Sequence, residues 1–271
     1  MEKDNEIQMT NLTYNNQGKK MGDDDGPAYV TYSKTGYNHA TIDVILSEIA
    51  LNTLRRTDKK NLNAYLFLGI DVYDENGCGT NCVDAGLAFT GENGAWHMFY
   101  NVLKPSRQQI KWYESDTLLD ASHDYRLILN SSEFDGRAKL QILDITNDLT
   151  VADEIEFDIT GSQKDGSNTA MLQNYALDYP ENICCDRQGN SSGEWDEITL
   201  YNTDQNVFMR NIKIANATLN HQPWTEEINS HMAMWPDNSI SKIDYPVVII
   251  RSAAAYSELL LDLEMNRMRL E

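Results

Sequence analysis

An all-β chain, folded as a two-sheet antiparallel jelly-roll sandwich, is the fold class this sequence predicts, and three observations carry it. Apolar and polar residues alternate over strand length from Tyr65 to Tyr73, and again at Tyr125 to Asn130, Ala138 to Ile145 and Glu154 to Ile159. Turn residues bound these segments, as in Asn76-Gly77, Glu133-Phe134-Asp135-Gly136 and Thr146-Asn147-Asp148. The apolar stretches are of strand length and fall well short of the roughly 18 residues that a membrane helix needs.

Taken in order, residues 1–27 are a polar extension holding the acidic run Asp23-Asp24-Asp25, and residues 28–271 read as a single β-sandwich domain. Ala28 to Tyr32 and Ala40 to Leu54 predict strands. The second also fits a helical period, but the β-branched Thr41, Ile42, Val44 and Ile45 favour a strand. Tyr65 to Asn101 predicts three consecutive antiparallel strands. Gly161 to Gly193 breaks the rhythm, with a short helix expected at Thr169 to Leu177, and a loop of this length usually serves function. Strands resume at Trp195 to Tyr201 and Val207 to Leu219. Tyr245 to Ser252 predicts another, and the tail after it predicts a short C-terminal helix or a late strand.

A chain of 271 residues can bury a sizeable core. Its 22 Lys and Arg against 42 Asp and Glu leave a formal charge of -20, which argues against nucleic acid and anionic membranes, whose phosphates need a basic footprint. Membrane insertion is not expected either. The N-terminus lacks an apolar signal-like stretch, but the final Leu270-Glu271 resembles the scar before an affinity tag, which reads as an excised domain whose missing stretch says nothing of compartment; the expected source is a secreted or cell-surface bacterial protein. Four cysteines form two local pairs, Cys78 with Cys82 and Cys184 with Cys185. Closing the first pair is sterically easy, bridging the adjacent second pair strains the peptide, and cross-pairing of the two loops is the alternative. Neither spacing is that of a zinc knuckle.

Strand parity defines the candidate surface. With Leu66, Leu68, Ile70 and Val72 facing the core beside Val83, Ala85, Leu87 and Phe89, the opposite face carries Tyr65, Phe67, Asp71 and Tyr73 with Asp84 and Gly86. We place His97 there too. Aromatic rings stack on the C–H faces of sugars while carboxylates and imidazoles bond hydroxyls, so this mixture points to a glycan. On the segment leading into a later strand, Trp195, Glu197 and Tyr201 repeat the combination. Glu194, Asp196 and Glu197 are the candidate catalytic acids, and Glu194 with Asp196 or Asp71 with Asp84 could supply the two carboxyls of glycoside hydrolysis. Asp71, Asp74, Glu75, Asn76 and the DDDG run offer oxygen ligands for calcium, without the spacing of an EF-hand. The chain carries no P-loop, G-x-G-x-x-G, H-E-x-x-H or G-x-S-x-G signature.

The segments LFLGIDVYDENG, VDAGLAFTGENGAWHMFYN and GEWDEITLYN, with VFMRNIKIANATL, resemble the concanavalin A-like lectin and glucanase superfamily in architecture. The resemblance implies two curved sheets with glycan held on the concave face or its rim. Laminarinase-like members carry an E-x-D-x-E or E-x-D-x-x-E strand; Glu194 and Asp196 match its first two acids, while Ile198 and Thr199 stand where the third would be. The expectation is therefore a lectin-like carbohydrate-binding domain. The alternatives are a glycoside hydrolase or polysaccharide lyase, and an adhesion or assembly module that binds protein.

Overall fold

The computed structural model describes residues 27–53, 63–90, 94–104, 109–178, 207–235, 247–254 and 256–264. Among them lie sixteen strands and one 3-10 turn at Leu46–Glu48. The chain passes repeatedly between two sheets. Strand β1 (Ala28–Thr35) enters the first and β2 (His39–Val44) the second, where β3 (Ala50–Asn52) follows the 3-10 turn. Strands β4 (Asn63–Tyr73), β5 (Gly79–Thr90), β6 (Ala95–Leu103) and β7 (Gln109–Leu119) then form an antiparallel meander in the first sheet. A second meander, β8 (Tyr125–Asn130), β9 (Arg137–Asp144) and β10 (Thr150–Asp158), lies in the other. Strand β11 (Thr169–Asp178) returns to the first sheet, and β12 (Phe208–Leu219) with the short β13 (Gln222–Pro223) goes to the second. Strand β14 (Asn229–Trp235) rejoins the first, and the hairpin of β15 (Val247–Ala254) and β16 (Glu258–Glu264) completes the second.

The seven-stranded sheet has the order β14-β1-β11-β4-β5-β6-β7, and the nine-stranded sheet has β10-β9-β8-β2-β12-β16-β15 with β3 and β13 on β12. This is the expected antiparallel two-sheet jelly roll. The core lies between the sheets. Leu66, Leu68, Ile70 and Val72 meet Val83, Ala85 and Leu87, then Trp96, Met98 and Tyr100, on one side of it. Ile42, Leu127, Leu129, Leu140, Ile142, Ile212 and Leu261 supply the other, and each such side chain contributes roughly 1.5–3 kcal/mol by leaving water.

Three local expectations resolve in favour of strands. The helix expected at Thr169 to Leu177 is instead β11, paired on both sides by β1 and β4. Its period is two: Met171, Gln173, Tyr175 and Leu177 are buried on one face while Leu172 and Asn174 stand on the other. Ladder bonding to both neighbours outweighs a weak helical propensity there. Ala40 to Thr53 takes in β2, the 3-10 turn and β3, and Leu54 lies outside the described residues. The tail through Glu264 is a hairpin rather than a helix, with Leu259, Leu261 and Leu263 buried against β12.

Polar ties hold the nine-stranded sheet from outside. Asp43 on β2 is buried and accepts from Arg126 Nε at 2.6 Å, Arg126 Nη2 at 2.8 Å and Asn216 Nδ2 at 2.8 Å, joining β2, β8 and β12. Near the β8–β9 end, His123 Nδ1 lies 2.8 Å from Asp144 Oδ2, which also accepts from Asn147 Nδ2. No helix among the described residues is long and apolar enough to cross a membrane.

Candidate functional site

Register alone sets out the outer face of the seven-stranded sheet, because residues paired across antiparallel strands share a face. One row runs Ala28, Ala176, Tyr65, Ala88, His97, Leu118. The next runs Val30, Asn174, Phe67, Gly86, Phe99, Glu114, and the third His231, Tyr32, Leu172, Gly69, Asp84, Asn101, Trp112. Ala170, Asp71, Cys82 and Leu103 begin a fourth.

Two glycines open space on this face. A Cβ on Gly86 would stand 2.5 Å from Leu66 O and 2.6 Å from Phe67 Cα, and its absence lets Phe67 and Phe99, its partners on either side, meet edge to face at 5.7 Å. Gly69 likewise leaves room for Leu172. Phe99 is the hub of the cluster. Trp112 stacks on it at 5.3 Å with 28° between the planes, and Tyr65 leans against it at 5.3 Å. Phe67 is 6% exposed and Phe99 2%, so these two form a floor; Tyr65, Trp112 and Tyr32 are half-buried and keep ring surface toward solvent. Tyr32 stacks with His231 at 4.2 Å.

Polar groups surround the rings. Trp112 Nε1 donates to Glu114 Oε1 at 2.9 Å, and His97 Nε2 lies 3.3 Å from Glu114 Oε2, close enough for attraction but poorly aligned for a hydrogen bond. The contact with His97 holds the Glu114 carboxyl below the usual range; burial opposes this and the Trp112 N–H adds to it. Burial, then the Asp71 carboxylate that its hydroxyl bonds, pushes Tyr73 up to about 12. Four polar atoms in the first three rows are enclosed with no hydrogen-bond partner among the described residues: His97 Nδ1 and Nε2, Asn101 Oδ1 and Asn174 Oδ1. Leaving such an atom unmatched costs about 1–3 kcal/mol.

Parity therefore brings Tyr65, Phe67, Asp71, Tyr73, Asp84 and His97 to one face, although His97 is fully buried. Asp71 and Asp84 are diagonal neighbours on β4 and β5. The candidate acids Glu194, Asp196 and Glu197, the rings Trp195 and Tyr201, the cysteines Cys184 and Cys185, and the DDDG run lie outside the described residues. Cys78 and Cys82 are not bridged to each other. Asp74 Oδ1 accepts from the backbone of Asn76 and Cys78, which closes the hairpin turn, and no group of three His, Cys, Asp or Glu among the described residues is placed to hold a metal ion. Trp112, Glu114, Asn101 and Asn174 were not singled out from sequence. The signal for the first two was the alternation in QIKWYESDTLL, whose Tyr113 packs on Tyr100 from the core side.

No family model and no curated protein matches the chain. Solved structures similar to it include the CBM2 module of an evolved Dit protein from Lactobacillus casei phage J-1, at 10% identity over 62% of this chain and 59% of that one, with a TM-score of 0.30. The chain thus spans less than two thirds of that module. Xenopus laevis galectin-Ib matches at 9% identity over 56% and 95%, with a TM-score of 0.31. A Bacteroides ovatus mixed linkage glucan GH16 protein, in complex with a product, matches at 12% over 59% and 71%, with a TM-score of 0.33. Likenesses this loose carry no argument about the present chain, whose fold rests on the strand pairing above.

Proposed function

We propose that this chain is a lectin-like carbohydrate-binding module of a secreted or cell-surface protein, and that it holds a glycan on the outer face of its seven-stranded sheet. One observation carries the reading: partly exposed rings stand among carboxylates in a single register-defined patch. Tyr65, Trp112 and Tyr32 would stack on sugar C–H faces, with Phe67 and Phe99 as the floor beneath them. Asp71, Asp84 and Glu114 would accept from hydroxyls.

Affinity electrophoresis against a polysaccharide panel tests this. Retardation of the wild type by at least one polysaccharide, weakened about tenfold or more in Trp112→Ala with the melting temperature maintained, is the expected result; tenfold corresponds to about 1.4 kcal/mol. Undiminished retardation of the variant would move the site off this face.

A hydrolytic reading draws on one observation, the diagonal placement of Asp71 and Asp84. Diagonal neighbours sit roughly 7–8 Å apart, and inverting glycosidases hold their carboxyls at about 6.5–9.5 Å. Release of reducing ends by the wild type, abolished in Asp84→Asn, would establish that reading in place of simple binding.

A further inference from the structure

Trp112 stands on the open edge of the sheet. Strand β7 is the last of the seven, so no further strand of that sheet braces the ring from outside, and the pairing with β6 slips between the His97 and Phe99 positions, immediately after Glu114. Stacking on Phe99 at 5.3 Å and the edge-on contact with Tyr65 at 6.3 Å set the plane of the indole but not which way round it lies, because the χ2 torsion of a tryptophan is broad and roughly two-fold. A hydrogen bond is directional and does set it. Trp112 Nε1 donates to Glu114 Oε1 at 2.9 Å, the two residues standing two apart on one face of β7. On the buried side of Glu114 is His97, fully enclosed, whose Nε2 lies 3.3 Å from Glu114 Oε2 and has no hydrogen-bond partner among the described residues. The contact with His97 works against burial to keep the carboxyl ionised to lower pH than usual, and an ionised acceptor makes the stronger bond to the indole.

Resting on the glycan reading, we infer that Glu114 is a positioning residue: it fixes the indole of Trp112 in the orientation that meets the sugar, with His97 bracing the carboxylate from the buried side, and this outweighs any bond it makes to a hydroxyl itself. A ring already held when the glycan arrives spares binding the cost of ordering it. Without the tether the ring is still present but free to turn about χ2, so affinity falls although the area available for stacking is the same.

Affinity electrophoresis against xyloglucan, galactomannan, alginate and polygalacturonate, run as a double-mutant cycle, tests the role. With whichever polymer retards the wild type, Glu114→Leu should weaken binding about three- to tenfold, the usual effect of leaving one side chain to be ordered on binding. Glu114→Gln, whose amide oxygen still accepts from the indole, should bind nearly as the wild type does. In Trp112→Phe, which keeps a ring but has no N–H, the further change Glu114→Leu should cost little. The free protein carries its own readout, the indole N–H resonance that is missing from Trp112→Phe: it should exchange with water several-fold faster in Glu114→Leu than in the wild type or Glu114→Gln. An undiminished loss from Glu114→Leu in the Trp112→Phe background, or an exchange rate that Glu114→Leu leaves unchanged, would overturn the positioning role while leaving a glycan module in place. Absence of retardation of the wild type by all of these polymers would instead overturn the glycan reading, and the exchange rates would still decide whether Glu114 holds the ring.

Discussion

Position 86 has no room for a side chain. An added Cβ would meet backbone atoms of β4, Leu66 O at 2.5 Å and Phe67 Cα at 2.6 Å, and main chain yields less readily than the end of a flexible side chain. Gly86→Ala should therefore destabilise the fold by about 1–3 kcal/mol, the usual cost of overpacking, and lower the urea midpoint. Because Phe67 and Phe99 meet beside this glycine, the same change should also disturb the aromatic patch. His123 offers a test by pH. Its hydrogen bond to Asp144 raises its pKa, so the stabilisation is fully present below the ordinary histidine value of about 6.5 and is lost as pH rises through the raised one. Burial raises Asp144, but its bonds from His123 and Asn147 more than offset this and its pKa is lowered, so its own contribution is lost only in acid. Melting curves between about pH 6 and about pH 9 should show the wild type losing part of its margin over His123→Gln. A margin that stays constant or grows would contradict the assignment.

The elements are held by pairing more than by propensity. Asp43 illustrates this on the nine-stranded sheet, where it links β2 to β8 through Arg126 and to β12 through Asn216, whose backbone has a φ of 51°. Asp43→Ala would leave both donors without their acceptor. Removing one partner of a buried pair costs about 3–5 kcal/mol, and because Arg126 can turn partly into water the expected loss is near the lower bound; equilibrium urea unfolding measures it. Strands whose sides differ in chemistry were legible in the sequence. Leu66, Leu68, Ile70 and Val72 against Tyr65, Phe67, Asp71 and Tyr73 gave β4 its faces and parity on β5 followed, whereas on β6 Trp96, Met98 and Tyr100 compete with His97, Phe99 and Asn101 for the core until pairing with β5 decides. Thr169 to Asp178 was harder to read. Its alternation places Gln173 in the core, where Tyr175 Oη donates to its Oε1, and a buried amide obscures the apolar period. The tail was ambiguous for another reason: ELLLDLE has three adjacent leucines, which suit a helix or a strand until β12 and β15 supply ladder partners.

At the scale of the whole molecule, the site depends on strands far apart in sequence. Tyr32 from β1 and His231 from β14 share a row with Asp84 of β5 and Trp112 of β7, and only the sheet order brings them together. That is why the sequence indicated half of the patch, the β4 to β6 meander, and gave no sign of Asn174 or Trp112 as its neighbours. The sandwich leaves two outward faces. One presents rings and acids; the other side of the molecule exposes separate apolar side chains, Phe134, Leu149 and Val151, on and beside the β8–β10 meander. Carbene footprinting with a retained polysaccharide discriminates between them most directly. The account predicts that bound glycan masks Tyr32, Tyr65 and Trp112 while labelling of Phe134, Leu149 and Val151 is unchanged; masking of the latter three with the rings still labelled would contradict it.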